Sequence, residues 1–351
     1  MPITANGLWD ELISWDNLVQ AYQAARKSKR YKPDVLRFHR QWEERLLNIH
    51  NHLVWGSWEP QPFSAFPVYE PKERLIEAPT FADRIVHHAL HRIVEPYFER
   101  RFIDHSYACR KGKGTHAACH ALQRMLRRGQ RQWDKVYVLQ ADIRRYFPHI
   151  RHDRLFRQIR RTIRDERALA LWTRIIEANG TAGVGLPIGA LTSQLGANIY
   201  LDTLDHHVTN HLGHGNYIRY MDDWIVLGPD KARLDGLRKE LTGWLADELG
   251  LTLSKAHIYP ASQGVDFAGY RTWPTHIKPR KRNVRRARRR LKQLASGRIA
   301  GQTERQRLRS SAASFAGYMR HCDGRTTIQG ILREMSAILT REYYRPSDEA
   351  I

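Results

Sequence analysis

The chain has 351 residues and a mass of 41.1 kDa, with 42% hydrophobic and 10% aromatic residues. That is enough to bury a core, and more than one ordinary domain of about 100–200 residues. Lys and Arg number 58 against 36 Asp and Glu, a net charge of +22 that suits a polyanionic partner, nucleic acid or an acidic membrane surface, and excludes little else.

The first elements are helical. Residues 8–28 and 33–54 carry Leu and Trp at helical spacing, so 1–55 reads as an N-terminal helical extension. Asp10 and Glu11 interrupt the opening stretch, which is therefore expected not to be a signal peptide. Five prolines between Pro60 and Pro79 follow, with short strands at 66–69 and 74–77. Residues 80–102 are a strong helix with Phe81, Ile85, Val86, Ala89, Leu90 and Ile93 on one stripe. Gly112 and Gly114 open a helix to about residue 128.

The run from Val136 to Ile143 reads as a buried strand. Helices over 152–178 come next, then a Gly-rich turn at 180–189 and a helix to 212. Strands at 216–221 and 224–227 make a hairpin with Asp222 and Asp223 at its tip. A helix over 231–249 and strands at 251–259 and 265–271 complete the body. Two prolines near 273–279 mark a boundary, beyond which the chain is helical to 343 and ten of the fifteen residues from Lys278 to Lys292 are Lys or Arg. Helices and small sheets without βαβ alternation give an α+β class.

No window reaches the roughly 18–20 apolar residues that a bilayer span needs, so a membrane is not an expected partner. Three widely spaced cysteines, Cys109, Cys119 and Cys322, make no disulfide framework and suit a reducing, cytoplasmic setting. The pairs His87/His91 and His207/His211 have zinc-like i,i+4 spacing but no evident third ligand.

The acids carry the chemistry. Asp142 closes an apolar strand, and Asp222–Asp223 sit at a turn between apolar strands. Adjacent carboxylates there repel, and a divalent cation with a taste for hard oxygen ligands relieves them. Two acids from separate strands suit two ions about 3.5–4 Å apart, the arrangement for in-line phosphoryl displacement. Taken alone, an Asp-Asp pair is also ordinary turn chemistry.

The surroundings narrow the reading. In order the chain carries Asp142-Ile-Arg-Arg-Tyr-Phe147, Gly185-Leu-Pro-Ile-Gly-Ala-Leu-Thr-Ser-Gln194, Tyr220-Met-Asp-Asp223, Leu253-Ser-Lys255 and Phe267-Ala-Gly-Tyr-Arg271. This series resembles the reverse transcriptase palm over about residues 60–272. Asp83-Arg-Ile-Val-His-His-Ala-Leu90 and Tyr107-Ala-Cys-Arg-Lys-Gly-Lys-Gly-Thr-His116 are similar to enzymes of diversity-generating retroelements and to related phage-defence reverse transcriptases.

The resemblance implies a right-hand polymerase with fingers and palm over 56–272 and a basic helical thumb over 273–351. It implies Mg²⁺, as two ions with Mn²⁺ as a substitute, held by Asp142, the Ile143 carbonyl, Asp222 and Asp223. Lys255 would protonate the leaving pyrophosphate. Lys72, Arg74, Arg110, Phe147, Ile188 and Gln194 would meet the nucleotide, with Phe147 as a steric gate against a 2′-OH. Ile188 stands where group II intron enzymes typically carry Gln, which fits low fidelity. Phe267, Gly269 and Tyr270 match the primer grip. Arg280, Lys281, Arg282, Arg285, Arg286 and Arg289 would track the duplex backbone. The implied partners are a template or noncoding RNA, an RNA/DNA duplex, dNTPs and, in a retroelement, a small accessory protein.

Overall fold

The computed structural model describes residues 4–69, 73–178, 183–296 and 302–343. Its N-terminal helices are α1 (Trp9–Ile13), α2 (Trp15–Arg26), α3 (Pro33–His39) and α4 (Trp42–Val54). The two long helices expected here are four. Ser14 ends one helix and caps the next, its Oγ accepting from the Asn17 N–H. Gln41, with φ −134° and ψ 44°, breaks the second.

Strands β1 (Ser64–Val68) and β2 (Arg74–Ala78) pair antiparallel, Ser64 opposite Ala78 and Val68 opposite Arg74. Helix α5 (Phe81–Glu99) starts at a Thr80 cap whose hydroxyl accepts from the Asp83 N–H. The N-terminal helices are built onto it. Asn17 donates to the Ala89 carbonyl at 3.2 Å and accepts from Arg92 at 3.1 Å, and the Tyr22, Phe38 and Phe81 rings cluster at 5.1–6.2 Å.

Helix α6 (Thr115–Gln132) leads to β3 (Tyr137–Ile143), α7 (His152–Arg160) and α8 (Glu166–Glu177). The helices expected over 152–178 are these two, divided where Asp165 caps α8 and accepts from the Arg167 and Ala168 N–H groups. Helix α9 (Leu191–His206) runs into a π-helical turn at His207–His211. Then come β4 (Tyr217–Tyr220), β5 (Asp223–Gly228), α10 (Lys231–Trp244) with a π-helical turn at Leu245–Leu249, and β6 (Leu253–Pro260). The central sheet has the order β4-β5-β3-β6. Trp224, Ile225 and Val226 of β5 and Val138, Leu139 and Ala141 of β3 have no exposed surface.

The expected strand over 265–271 is two strands, β7 (Val265–Phe267) and β8 (Tyr270–Thr272), joined by Ala268 at φ +46° and Gly269 at φ +92°. Two left-handed residues make a tight hairpin turn. A strand absent from the sequence reading, β9 (Ile277–Pro279), pairs with β8, Tyr270 opposite Pro279. Helices α11 (Lys281–Ser296), α12 (Gln302–Met319) and α13 (Arg325–Tyr343) follow.

Compactness does not follow the chain-order divisions at 55 and 272. One unit gathers 1–111, 140–224 and 235–256; the other gathers 112–139, 225–234 and 257–351. The first holds the N-terminal helices together with α5 and α9. In the second, Leu291, Ala295, Ile331 and Met335 form one core among α11–α13, and Cys119, Tyr270 and Ile277 form another.

Candidate active site

The turn between β4 and β5 is held from beneath. Arg219 has no exposed surface and grips Asp205 with Nε and Nη2, both at 2.6 Å. Tyr217 donates its hydroxyl to the same carboxylate at 2.8 Å, and Nη1 of Arg219 reaches Asn198 and the Met221 carbonyl. Burial pulls the Arg219 pKa down, but Asp205 overrides it and the net direction is up, so the guanidinium stays charged. Met221 takes φ +58°, a left-handed position that costs a non-glycine residue of order 1 kcal/mol or more. The 3.0 Å bond to its carbonyl holds it there.

Asp222 follows directly. Its carbonyl accepts from the Ile143 N–H at 3.3 Å, fastening the turn to the end of β3 beside Asp142. Burial raises the Asp222 pKa, the Asp142 charge raises it further, and Arg74 and Arg219 oppose them. Asp142 is oriented separately: Ser254 Oγ donates to its Oδ2 at 2.5 Å, and the Arg144 N–H is 2.8 Å from the Thr252 carbonyl. Asp223 accepts from Gln140 at 3.1 Å. Asp222 in the turn is thus partly desolvated and close enough to Asp142, at the end of β3, for that carboxylate to raise its pKa.

That donor set fits a hard divalent cation. No group of three His, Cys, Asp or Glu side chains converges among the described residues, so neither a structural zinc site nor an all-carboxylate cage is formed. Two carboxylates with a nearby backbone carbonyl, completed by substrate phosphates and water, is the usual environment of Mg²⁺. His207 and His211, whose spacing alone is zinc-like, stack on each other, with His207 lying 4.3 Å from the Trp244 ring.

The other expected residues divide. Arg74 opens β2, is exposed, and its charge acts on Asp222. Lys72 lies outside the described residues. Phe147 begins a short 3₁₀ turn with its ring edge-on to Tyr146, whose hydroxyl is fixed on the Ala197 carbonyl. Ile188 is anchored by its carbonyl to the Glu77 N–H at 2.9 Å. At the next residue, Gly189, a Cβ would meet the Glu77 carbonyl oxygen at 2.8 Å, and φ is +135°. That close approach is why the position is glycine. Gln194 lies in the first turn of α9, and Lys255 is exposed on β6 beside Ser254.

Two expectations are corrected. Arg110 is not free for a nucleotide. Its guanidinium takes Glu99 in a bidentate grip at 2.7–3.0 Å and donates to the Ile103 and Ser106 carbonyls, with 5% of the side chain exposed. Phe267 and Tyr270 have no exposed surface; the Tyr270 hydroxyl is spent on Tyr318 and His116. What that hairpin presents is its backbone turn, with the Gly269 carbonyl accepting from Tyr318 at 2.6 Å.

Along α11, Lys281, Arg282, Arg285 and Arg289 are exposed, whereas Arg280 pairs with Asp266 and Arg286 reaches Asn283 at 3.4 Å. Arg282, Arg285 and Arg289 recur at helical spacing on one face. Asp205, Asn198, Gln140 and Ser254 were not singled out from sequence. Their roles are not local, because each acts through partners at least 12 residues away.

Comparison with known proteins bears on this arrangement. The family model described as reverse transcriptase (RNA-dependent DNA polymerase) matches residues 69–272. The chain is 27% identical over 276 residues to Protein YkfC of Escherichia coli (strain K12), covering 64% of this chain and 70% of that protein. It is 29% identical over 176 residues to the group II intron-encoded protein LtrA of Lactococcus lactis subsp. cremoris, covering 47% of this chain but only 28% of LtrA. Among solved structures, telomerase from Candida albicans, in complex with a fragment of telomeric RNA, superposes with a TM-score of 0.51 at 12% identity. That match covers 82% of this chain and 56% of the telomerase chain, and shows a shared right-hand polymerase fold. No described helix is long and apolar enough to cross a membrane.

Proposed function

Because this chain belongs to the reverse transcriptase (RNA-dependent DNA polymerase) family, we propose that it makes cDNA from a dedicated RNA template, with Asp142 and Asp222 at the reacting centre. The observation that carries this is the fastening of the Asp222 turn to the end of β3, which sets two repelling carboxylates side by side. Asp142, Asp222 and the Ile143 carbonyl would hold Mg²⁺, with Asp223 adjoining. When bound, a pair of such ions, or Mn²⁺ in their place, supplies the Lewis acidity of in-line nucleotidyl transfer.

The chain's own residues do the rest. Ser254 holds the Asp142 carboxylate in one orientation. Arg74, on the fingers, takes triphosphate oxygens with a planar guanidinium, and Lys72 assists. Phe147 excludes a 2′-OH beneath the sugar, so dNTPs are used. Lys255 is placed to give a proton to pyrophosphate. The exposed face of α11, as a thumb, follows the duplex backbone without reading sequence. Ile188 offers no amide to the incoming nucleotide, which supports low-fidelity copying in a diversity-generating retroelement. Free Cys109, Cys119 and Cys322 suit a reducing cytoplasm.

The test is primer extension with dNTPs on an RNA template, comparing wild type with Asp222→Asn. Incorporation by wild type, lost in the variant while RNA binding persists, is the expected result. Equal extension by the variant overturns the assignment. Sequencing the cDNA made in cells separates the retroelement role from phage defence: copies of a repeat with clustered errors indicate the first, copies of a partner noncoding RNA the second.

A further inference from the structure

A second basic cluster has no part in the chemistry above. A cavity of about 210 Å³ is lined by Lys29 and Lys32 from the α2–α3 connection, Arg84, His87 and His88 from α5, and Leu191 at the start of α9. It has room for a phosphate group and several waters at roughly 30 Å³ each. Lys29 is disfavoured as a cation first by burial and then by Arg84 and Lys32, with Asp34 opposing. Arg84 commits only Nε, to the Pro79 carbonyl at 3.0 Å, so its two Nη groups have no protein partner among the described residues.

His87 supplies the independent sign of a ligand. It is 1% exposed, and its Nδ1 lies 3.1 Å from Thr192 Oγ1, yet Nε2 is buried with no partner. Burial, followed by His88 and Arg84, lowers its pKa to about 3, so the ring is neutral. In the tautomer in which the Thr192 hydroxyl donates to Nδ1, the single ring proton sits on Nε2 as an unused donor. A buried donor left unsatisfied costs about 1–3 kcal/mol. Helix α9 also begins without a side-chain cap, so its first N–H groups and the positive end of its dipole stand at the same cavity. Three cations, a neutral N–H donor and an uncapped helix start all favour one kind of occupant, a tetrahedral anion.

We propose that Lys29, Lys32, Arg84 and His87 form a binding site for one phosphate of the RNA strand. The choice of RNA as the source rests on the polymerase reading above; the phosphate chemistry does not. Lys29 and Lys32 lie within 1–55, so this gives that stretch a role as part of the RNA-binding surface.

The test is binding of a short fluorescent single-stranded RNA by wild type and by Lys29→Gln/Lys32→Gln, measured across a salt series. Lys231→Gln, an exposed lysine outside the cavity, controls for net charge. The double variant is expected to bind roughly tenfold more weakly, with the log–log salt slope reduced by about 0.7, the increment for one phosphate contact on a single strand. The control should leave both unchanged. Inorganic phosphate should raise the melting temperature of wild type and not of the double variant, a readout that needs no RNA and no activity. An unchanged RNA affinity with a raised KM for dNTP moves the phosphate from RNA to nucleotide and overturns the RNA assignment. Equal losses in the double variant and the control, or no phosphate-dependent stabilisation in wild type, overturn the site.

Discussion

Asp205 and Arg219 form a bidentate ion pair with no exposed surface on either side chain, and the spare Nη1 of that arginine holds the carbonyl of Met221, the residue before Asp222. The buried pair is therefore tied to the Asp222 turn by one hydrogen bond. Removing one partner leaves an uncompensated buried charge, a loss of about 3–5 kcal/mol. Asp205→Asn should show that loss in urea unfolding. Asp205→Leu/Arg219→Met should regain much of it, since an apolar replacement of a buried pair is often neutral or stabilising. Polymerisation should not return in the double variant, because Met221 has lost the donor that holds its left-handed backbone. Recovery of both together would break the link between the pair and the turn.

Asp222 carries a pH signature. Its folded-state pKa lies above the ordinary carboxylate value, through burial first and the Asp142 charge second. Between the unfolded and folded pKa values the native state binds more protons, so stability falls as pH rises through that window. In metal-free buffer, Asp222→Asn should therefore melt at a higher temperature than wild type at pH 7. Millimolar Mg²⁺ should stabilise wild type and leave the variant nearly unmoved. A lower melting temperature for the metal-free variant would contradict the repulsion.

Ser254 bonds the Asp142 carboxylate, so the role proposed for it is positioning. Ser254→Ala frees that carboxylate to rotate. Extension assays should show kcat down by about tenfold, the effect of a slightly misplaced group, a higher Mg²⁺ requirement, and unchanged RNA affinity. Ser254→Thr, which keeps a hydroxyl, should restore most of the rate.

At Ile188–Gly189 the chain passes against β2. Gly189→Ala places a methyl 2.8 Å from the Glu77 carbonyl oxygen in a backbone conformation that L-residues avoid. A loss of about 1–3 kcal/mol is expected in thermal unfolding. Ile188→Gln leaves that backbone alone and adds an amide; its expected outcome is a lower misincorporation frequency in sequenced cDNA at near wild-type stability.

The exposed row on α11 reads out through salt. Arg282→Gln/Arg285→Gln/Arg289→Gln should flatten the log–log salt dependence of RNA/DNA duplex binding by about 0.9 for each phosphate contact removed. Weakening should be uniform across duplex sequences. Because Arg280 is already paired with Asp266, Arg280→Gln should change the slope far less.

The candidate carboxylates, Asp142 and Asp222, stand out in the sequence because their signal is local. An apolar strand ending in Asp142 and a Tyr-Met-Asp-Asp turn between apolar strands announce themselves within a dozen residues. The α+β class, two short strands near β1 and β2 and the basic run of Lys278–Lys292 were read from equally local signals, whereas the pairing of β1 with β2 came from the structure. The helix break at Ser14 was missed although serine is an ordinary capping residue, since apolar spacing continues across it.

Other features depended on contacts that chain order does not contain. Arg110 looked like a free cation until Glu99 was found against it. Tyr270 looked like a surface grip until its hydroxyl was found bonded to Tyr318 and His116. Strand β9, which returns to pair with β8, had no local signal. Sequence by itself determined which residues bear charge and how each segment prefers to fold, because propensity and periodicity act over a few residues. Only the tertiary structure decided which charges are spent and which remain available: Asp205 claims Arg219, Glu99 claims Arg110, and Lys29, Lys32 and Arg84 are left around the unsatisfied nitrogen of His87. Desolvation and pairing are properties of neighbours in space.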